Sequence, residues 1–262
     1  MSGRLTAMKI SAPLKLIVIL FAFTGIFAKC TNDQEIPEKT LYPKVSAIEF
    51  SQEFLLAVKS DEPFQAYRDT LAVMNLDSLK VELSTFNERQ CFWINIYNAL
   101  VQSKAKSDTS SFENRNTFFK QADINIGGAK LSLDNIEHNI LRGIDKGQND
   151  FTQAFRLEKL DNRLHFALNC GAAACPPIAF YSPDEIDDQL NLAEEIFVQS
   201  ASKFDSTTGL LETSKILDWY ADDFGGEAGI IELMRKHGVV ADQTVSKITY
   251  TPYDWTLDLN NY

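Results

Sequence analysis

The segment NERQCFWINIYNALVQSKA, residues 87–105, is apolar around most of the circumference of a helix. Its apolar residues recur at helical spacing. They leave one narrow polar stripe, formed by Glu88, Cys91, Asn95, Asn98 and Gln102. Because such a helix has to be covered on nearly every side, the stripe faces either protein or a cleft. Its amides therefore either hold loop backbone in place or line a binding site.

Helical spacing extends over most of the rest of the chain. Apolar residues at intervals of three and four predict further helices over residues 45–60, 62–75, 132–144, 182–203, 214–224 and 227–237. The dipeptide Gly127-Gly128 predicts a hairpin turn, and residues 246–260 form a strand-like tail. Together these segments predict an α+β fold, a helix-dominated single domain with a small sheet.

The N terminus has the features of an export signal. Basic residues precede an apolar run of 13 residues, Leu16–Ala28, which is too short to cross a bilayer but suits the core of a signal peptide. Cys30 follows, as in bacterial lipoproteins, where such a cysteine is lipidated and becomes the mature N terminus. Cleavage after Ala28 without lipidation is the alternative. The predicted division is a signal peptide over 1–29, a polar tether over 30–45 and a globular domain over 46–262.

These features predict an exported protein of the bacterial cell envelope, a membrane-anchored lipoprotein facing the periplasm or the cell surface. The formal net charge of −11 repels phosphate backbones, so nucleic acid is not an expected partner. The expected partners are the membrane, through the lipidated N terminus, and an envelope peptide or glycan. No cofactor or metal is predicted, because the three histidines and four cysteines match no metal-binding spacing.

The segment HFALNCGAAACPPI, residues 165–178, places a histidine, an asparagine and two cysteines close together. Residues 163–169 alternate between apolar and polar side chains, which predicts a half-buried strand. On such a strand, His165 and Asn169 point away from the face that carries Cys170. A base for Cys170 would then come from another part of the chain.

A nucleophilic role for Cys170 requires a thiolate near neutral pH, and His138 is the first candidate for the base. Gly171 and the alanines after it keep the backbone of the turn accessible, as an oxyanion site requires. Two structural roles compete. Cys170 and Cys175 either close a short disulfide loop or are both small buried side chains.

Glu137 lies in the middle of the apolar face of the helix predicted over residues 132–144. A carboxylate that points into a core must be paired, hydrogen-bonded or protonated, because a stranded charge is strongly destabilising. One interpretation is a structural ion pair with Arg163. The other is a carboxylate that orients a catalytic histidine.

Five segments occur in a fixed order along the chain: FWINIYNAL, IGGAKLSLDNIEHNILR, RLHFALNCGAAACPPI, ILDWYADDFG and YDWTLDLN. In this combination the chain resembles, from about Phe86 to the C terminus, the uncharacterised family called domain of unknown function 547. The resemblance implies that any site draws on Glu137, His138, His165, Asn169, Cys170 and Gly171. It implies no reaction, because none is established for the family. The family pattern also allows serine at Cys175, which weakens the case for an obligatory disulfide.

Two functions are compatible with these residues. The first is acyl transfer or amide hydrolysis, with Cys170 as nucleophile, His138 or His165 as base and Glu137 orienting that base. Polar support would come from Asn95, Asn98, Arg163, Asn169 and Gly171. The second is a non-catalytic envelope module for binding or scaffolding, in which the same cluster is a structural polar network. An exposed thiol beside an imidazole favours the enzyme, whereas a disulfide beside an aromatic groove favours the binding module.

Overall fold

Helices dominate the fold in the computed structural model, which describes residues 45–145, 147 and 149–262. The α-helices are α1 (Ala47–Lys59), α2 (Gln65–Ala72), α3 (Leu76–Glu82), α4 (Phe86–Ser107), α5 (Arg115–Lys120), α6 (Asp150–Phe155), α7 (Ile186–Ala201), α8 (Lys215–Trp219) and α9 (Gly226–Lys236). Short 3₁₀ helices cover Thr109–Glu113, Asn162–Phe166 and Ala221–Phe224, and a π-helical segment covers Asn135–Leu141. The strands are β1 (Ile124–Ile126), β2 (Ala129–Leu131), β3 (Lys203–Asp205), β4 (Leu210–Ser214) and β5 (Lys247–Thr251).

Two small sheets complete the predicted α+β class. β1 and β2 form the expected antiparallel hairpin, with Gly127 and Gly128 at positive φ in the turn. β4 pairs antiparallel with β3 and parallel with β5, which makes a three-stranded sheet. The predicted helix-dominated fold with a small sheet component is therefore confirmed.

α4 is the most deeply buried helix of the fold. Thr85 and Glu88 form a capping box at its start. Every residue from 90 to 103 is buried, as the apolar circumference of this segment predicts. α1 packs along α4 and contributes Phe50 and Phe54 to the same core.

The amides on the polar stripe of α4 hold loop backbone. The Asn98 side chain donates to the carbonyl of Ala167 at 2.9 Å and accepts from the backbone N–H of Asn169 at 2.9 Å. Asn95 makes the same kind of double contact with the backbone of Tyr181, at 2.9 and 3.0 Å. Of the two roles predicted for this stripe, the structure contains the backbone-holding one.

The hydrophobic side chains form two clusters. The larger one surrounds α1 and α4, and the smaller one lies among α7, α9 and β4. The 3₁₀ helix Asn162–Phe166 crosses the boundary, because Leu164 belongs to the larger cluster and Phe166 to the smaller one. His165, between these two residues, is thereby placed where the clusters meet.

Two predictions about local structure were wrong. Residues 163–169 are not a strand, because Asp161 caps a 3₁₀ helix there by accepting from the N–H of Arg163. All residues from 164 to 169 are buried, so their alternation does not mark a solvent-exposed face. α7 begins at Ile186, four residues later than the predicted start at residue 182, because residues 183–185 form a turn.

The predicted signal peptide, Cys30 and nearly all of the tether lie outside the described residues. Within the described ranges, no helix is both long enough and apolar enough to cross a membrane.

The contacts of Asn98 predict a large effect of its removal. Asn98→Ala is expected to lower the free energy of unfolding by about 2–4 kcal/mol, because it leaves a buried carbonyl and a buried N–H without partners. Urea unfolding followed by circular dichroism measures this change. Asn87→Ala is the matched control, since Asn87 is exposed on the same helix, and it is expected to cost less than about 0.5 kcal/mol. Equal effects of the two substitutions would contradict the role assigned to Asn98.

Candidate functional site

A pocket of about 270 Å³ opens where the two hydrophobic clusters meet. Its lining consists of Tyr97, Glu137, His165, Leu168, Cys170, Ile216, Trp219, Tyr220, Tyr253 and Trp255. Three of the residues predicted to act in catalysis, Glu137, His165 and Cys170, are therefore in one place. The pocket is the candidate site.

Glu137 provides a carboxylate at this pocket. The side chain comes from the π-helical segment, in which the N–H of Arg142 bonds to the carbonyl of Glu137, five residues earlier. π-Helical turns are frequent at functional sites. Tyr97 donates a hydrogen bond of 2.9 Å to Oε2 of Glu137, and Tyr220 donates one of 2.6 Å to Oε1. The residue is only 9% exposed, as its place on the apolar helix face predicts.

The surroundings of Glu137 keep this carboxylate ionised at neutral pH. Burial raises the pKa of Glu137, but His138 when protonated, the hydrogen bond from Tyr220 and His165 when protonated lower it, and the net pKa is below the ordinary value. Burial next to this charge also raises the pKa values of Tyr97 and Tyr220. Both tyrosines therefore remain protonated hydrogen-bond donors.

His165 is held by an aspartate that no pattern in the sequence indicated. Nε2 of His165 lies 2.7 Å from Oδ2 of Asp223. Arg142 binds the same carboxylate with two hydrogen bonds, from Nε at 2.7 Å and from a terminal nitrogen at 2.9 Å. The imidazole also stacks on the ring of Tyr220, with centroids 4.0 Å apart.

This arrangement favours a neutral imidazole and an ionised aspartate. Burial lowers the pKa of His165 more than the neighbouring carboxylates raise it, and His165 is only 4% exposed. For Asp223, burial acts to raise the pKa, but the hydrogen bonds from His165 and Arg142 outweigh it and hold the pKa well below its usual range.

His138 lies beside the pocket and is not among its lining residues. Its Nδ1 is 3.7 Å from Oε1 of Glu137 and 3.0 Å from a guanidinium nitrogen of Arg142. Because arginine can only donate, Nδ1 accepts this bond. In the described part of the chain, no group of three or more His, Cys, Asp or Glu side chains is arranged to hold a metal ion.

Cys170 is joined to Cys175 by a disulfide bond, one of the structural roles left open by the sequence. The hydroxyl of Tyr253 lies 3.3 Å from Sγ of Cys170 and 3.1 Å from Sγ of Cys175. The other cysteine of the described chain, Cys91, is buried, and burial raises its pKa to about 12. A nucleophilic role for Cys170 stays a prediction, and it would require reduction of this bond.

The backbone after Cys170 is closed by the C-terminal tail. Ala173 donates to the carbonyl of Thr256 at 2.8 Å, and Ala174 donates to that of Asp254 at 3.2 Å. The N–H of Gly171 bonds to the side chain of Asn169 at 2.8 Å. These N–H groups are occupied within the protein, so they do not form the open oxyanion site expected from the small residues.

Aromatic rings form one wall of the pocket. Trp219, Tyr253 and Trp255 pack against one another with centroid separations of 4.7 to 5.7 Å. Trp219 ends α8 and is 46% exposed, whereas Tyr253 and Trp255 belong to the tail after β5. Such rings offer flat apolar faces with polar edges, the usual lining of a small-molecule site.

The interpretation that pairs Glu137 with Arg163 was wrong. Arg163 instead binds Asp161 and Asp187, because the 3₁₀ helix turns its side chain toward α7. The sequence patterns did not indicate three further partners of the site, Arg142, Tyr220 and Asp223. Each lies within a segment quoted for the family resemblance, and that was the available signal. Tyr97 lies on the apolar part of the helix predicted over residues 87–105, so the pattern gave no sign of the role of its hydroxyl.

The model of a protein family described as "Protein of unknown function, DUF547" matches residues 81–198. The match supports the resemblance drawn from the five segments and covers Glu137, His165 and Cys170. Asp223 and the aromatic wall lie beyond it. No curated protein and no solved structure matches the chain.

The neutral state of His165 predicts how stability depends on pH. A histidine whose pKa is lower in the folded than in the unfolded chain stabilises the fold fully above about pH 6.5. That contribution is lost as the pH falls toward the pKa of the folded state, because the unfolded chain takes up the proton first. Urea unfolding at a series of pH values is therefore expected to give a falling free energy of unfolding from about pH 7 to about pH 5.

His165→Gln is expected to flatten this fall, even if the substitution also lowers stability at every pH. His237→Gln is the control, because His237 binds Glu194 and lies outside the pocket. In His237→Gln, the part of the fall in the free energy of unfolding that His165 causes is expected to remain. An unchanged pH profile in His165→Gln would contradict the assignment of a buried neutral imidazole.

Proposed function

We propose that this chain is a binding module of the bacterial cell envelope, and that the pocket takes a peptide or glycan fragment of the envelope. The observation that carries the proposal is the disulfide between Cys170 and Cys175 at a pocket walled by aromatic rings. A sulfur in a disulfide is not a thiolate, so it cannot serve as the nucleophile of acyl transfer.

The exposed aromatic rings of the pocket support a binding function. Trp219 is a large aromatic side chain that remains 46% exposed, and it stands at the rim of the pocket beside Tyr253 and Trp255. Sugar rings and apolar side chains both pack on indole faces. The polar groups of Glu137 and His165 lie among these rings and would orient a ligand, as a few convergent polar groups do in small-molecule sites.

The proposed location rests on two features. The first is the leader, with its apolar run Leu16–Ala28 followed by Cys30, which is typical of an exported lipoprotein. The second is the disulfide, since disulfides persist in oxidising compartments outside the cytosol. Lipidation of Cys30 would anchor the protein to a membrane, facing the periplasm or the cell surface. The pocket would then lie near the peptides and glycans of the cell wall.

The thiol enzyme is the second candidate, and one observation favours it. Cys170 lines the same pocket as Glu137 and His165, so reduction of the disulfide would place a thiol beside both groups. In that form, acyl transfer or amide hydrolysis would use Cys170 as nucleophile, with His165 or His138 as the base.

Binding can be followed through tryptophan fluorescence of the full chain. Of the three tryptophans, Trp219 and Trp255 line the pocket and Trp93 is buried in the core. Titration with soluble disaccharide-peptide fragments of peptidoglycan is expected to change the emission saturably. Trp219→Ala is expected to weaken binding at least about tenfold, because it removes the exposed face of the wall.

Val81→Ala is the matched control, since Val81 is exposed and is not among the lining residues. It should leave the titration unchanged. Iodoacetamide labelling separates the two candidate functions. Labelling of Cys170 only after reduction supports the binding module. Labelling without reductant that is slowed by His138→Ala or His165→Ala would instead favour the enzyme.

A further inference from the structure

The charge of the pocket points to the kind of ligand. Among the residues that line it, Glu137 is the one carboxylate, and there is neither a lysine nor an arginine. His165 is neutral because its pKa is lowered by burial. The lining therefore presents one negative charge, on a side chain that is only 9% exposed, where an electrostatic interaction is stronger than in bulk solvent.

Glu137 retains capacity for a ligand. An ionised carboxylate accepts about four hydrogen bonds, and two are supplied by the hydroxyls of Tyr97 and Tyr220. The nearest basic side chain is His138, at 3.7 Å. Its Nδ1 accepts from Arg142 and so presents no N–H to the carboxylate. The remaining acceptor sites of Glu137 are available to a donor that enters the pocket.

The arginine beside the pocket makes hydrogen bonds to a different carboxylate, and its charge also acts on Glu137. The guanidinium of Arg142 donates two hydrogen bonds to the carboxylate of Asp223, at 2.7 and 2.9 Å. Its guanidinium also lies 4.8 Å from the centre of the Tyr220 ring. Arg115 is stacked 4.9 Å from the centre of the Trp255 ring, but it is exposed and its charge is screened by solvent. Both rings thus already interact with cations on one face.

The aromatic wall suits a positive group. The faces of tryptophan and tyrosine rings attract cations, and the attraction increases when the cation is shielded from water. Trp219, Tyr253 and Trp255 lie beside Glu137 in the same pocket. A ring face and a carboxylate together provide both the packing surface and the counter-charge that an ammonium group needs.

We propose that this pocket selects ligands with a primary ammonium group, which Glu137 binds while the aromatic wall packs against the carbon chain that carries it. The ligand class is a peptide with a free amine, such as a diamino-acid side chain. The proposal rests on the binding function above and narrows it from an envelope fragment to an amine-bearing peptide. The net charge of the chain, −11, would also draw such a ligand toward the protein.

Two probes of nearly equal shape test this directly. The full chain is titrated with Nα-acetyl-lysine N-methylamide and, separately, with Nα-acetyl-norleucine N-methylamide, which lacks only the ammonium group. Tryptophan emission reports binding. The lysine probe is expected to bind at least about tenfold more tightly than the norleucine probe. Added salt should weaken the binding of the lysine probe and leave the binding of the norleucine probe unaffected.

Glu137→Gln identifies the group responsible. This substitution preserves the shape of the side chain and is expected to reduce the preference for lysine to less than about twofold. Glu232→Gln, an exposed carboxylate outside the pocket, is the control and should leave the preference intact. If Glu137→Gln does not fold, the comparison of the two probes on the unmodified chain still decides whether the pocket prefers a ligand with an ammonium group.

The outcomes separate this inference from the proposed function. Equal binding of the two probes would overturn the selection of an amine and leave the binding module standing. A fluorescence response to peptidoglycan fragments without a response to the lysine probe would also overturn the selection of an amine and leave the binding module standing. The absence of any response, including the response to those fragments, would overturn both proposals together. A lysine preference that persists in Glu137→Gln would overturn the role of this carboxylate.

Discussion

The buried carboxylate of Glu137 is bonded from two sides, and the site depends on this arrangement. Tyr97 approaches from α4 in the larger hydrophobic cluster, and Tyr220 approaches from the end of α8 beside the smaller one. A buried charge without partners is strongly destabilising, so each hydroxyl both stabilises the carboxylate and fixes where the two clusters meet. The pocket lies at that junction. The ionised carboxylate of Glu137 therefore has two effects. It gives the pocket its charge, and its hydrogen bonds to the two tyrosines help to set the shape of the pocket.

The rest of the pocket is assembled from segments that are far apart in the chain. The amides of α4 position the loop that leads to Cys170, through the two contacts of Asn98. The C-terminal tail then covers that loop, since the backbone N–H of Asp258 donates to the carbonyl of Gly171 at 2.9 Å. The same tail carries Tyr253 and Trp255. Loop and aromatic wall are thus fixed relative to each other, which gives the site a stable shape before any ligand arrives.

Regularities that are local in sequence were predictable. The apolar circumference of α4, the hairpin at Gly127-Gly128 and the burial of Glu137 follow from helical spacing and turn chemistry, and all three are found in the structure. The residues that share the pocket were partly predictable as well. Glu137, His165 and Cys170 were grouped by their chemistry and by the family resemblance, and the fold brings them together.

Relations that depend on the tertiary fold were not predictable. The alternation over residues 163–169 resembles that of a half-buried strand, but residues 164–169 are all buried, so the polar positions do not form a solvent-exposed face. One of the two interpretations paired Glu137 with Arg163, but two tyrosine hydroxyls supply the hydrogen bonds. Asp223 reaches His165 across 58 positions of sequence, and nothing in local spacing encodes that contact.

The ionised state of Glu137 is the point on which the account of the site depends. It is tested most directly by following the side-chain carboxyl carbon of this residue by NMR during an acid titration of the full chain. The signal is assigned by its loss in Glu137→Gln. The account predicts a midpoint below the ordinary glutamate value of 4.5, as the hydrogen bonds and nearby histidines require. A midpoint near or above neutral pH would mean that the pocket contains a protonated acid, and it would contradict both the charge assigned to the site and its proposed selectivity.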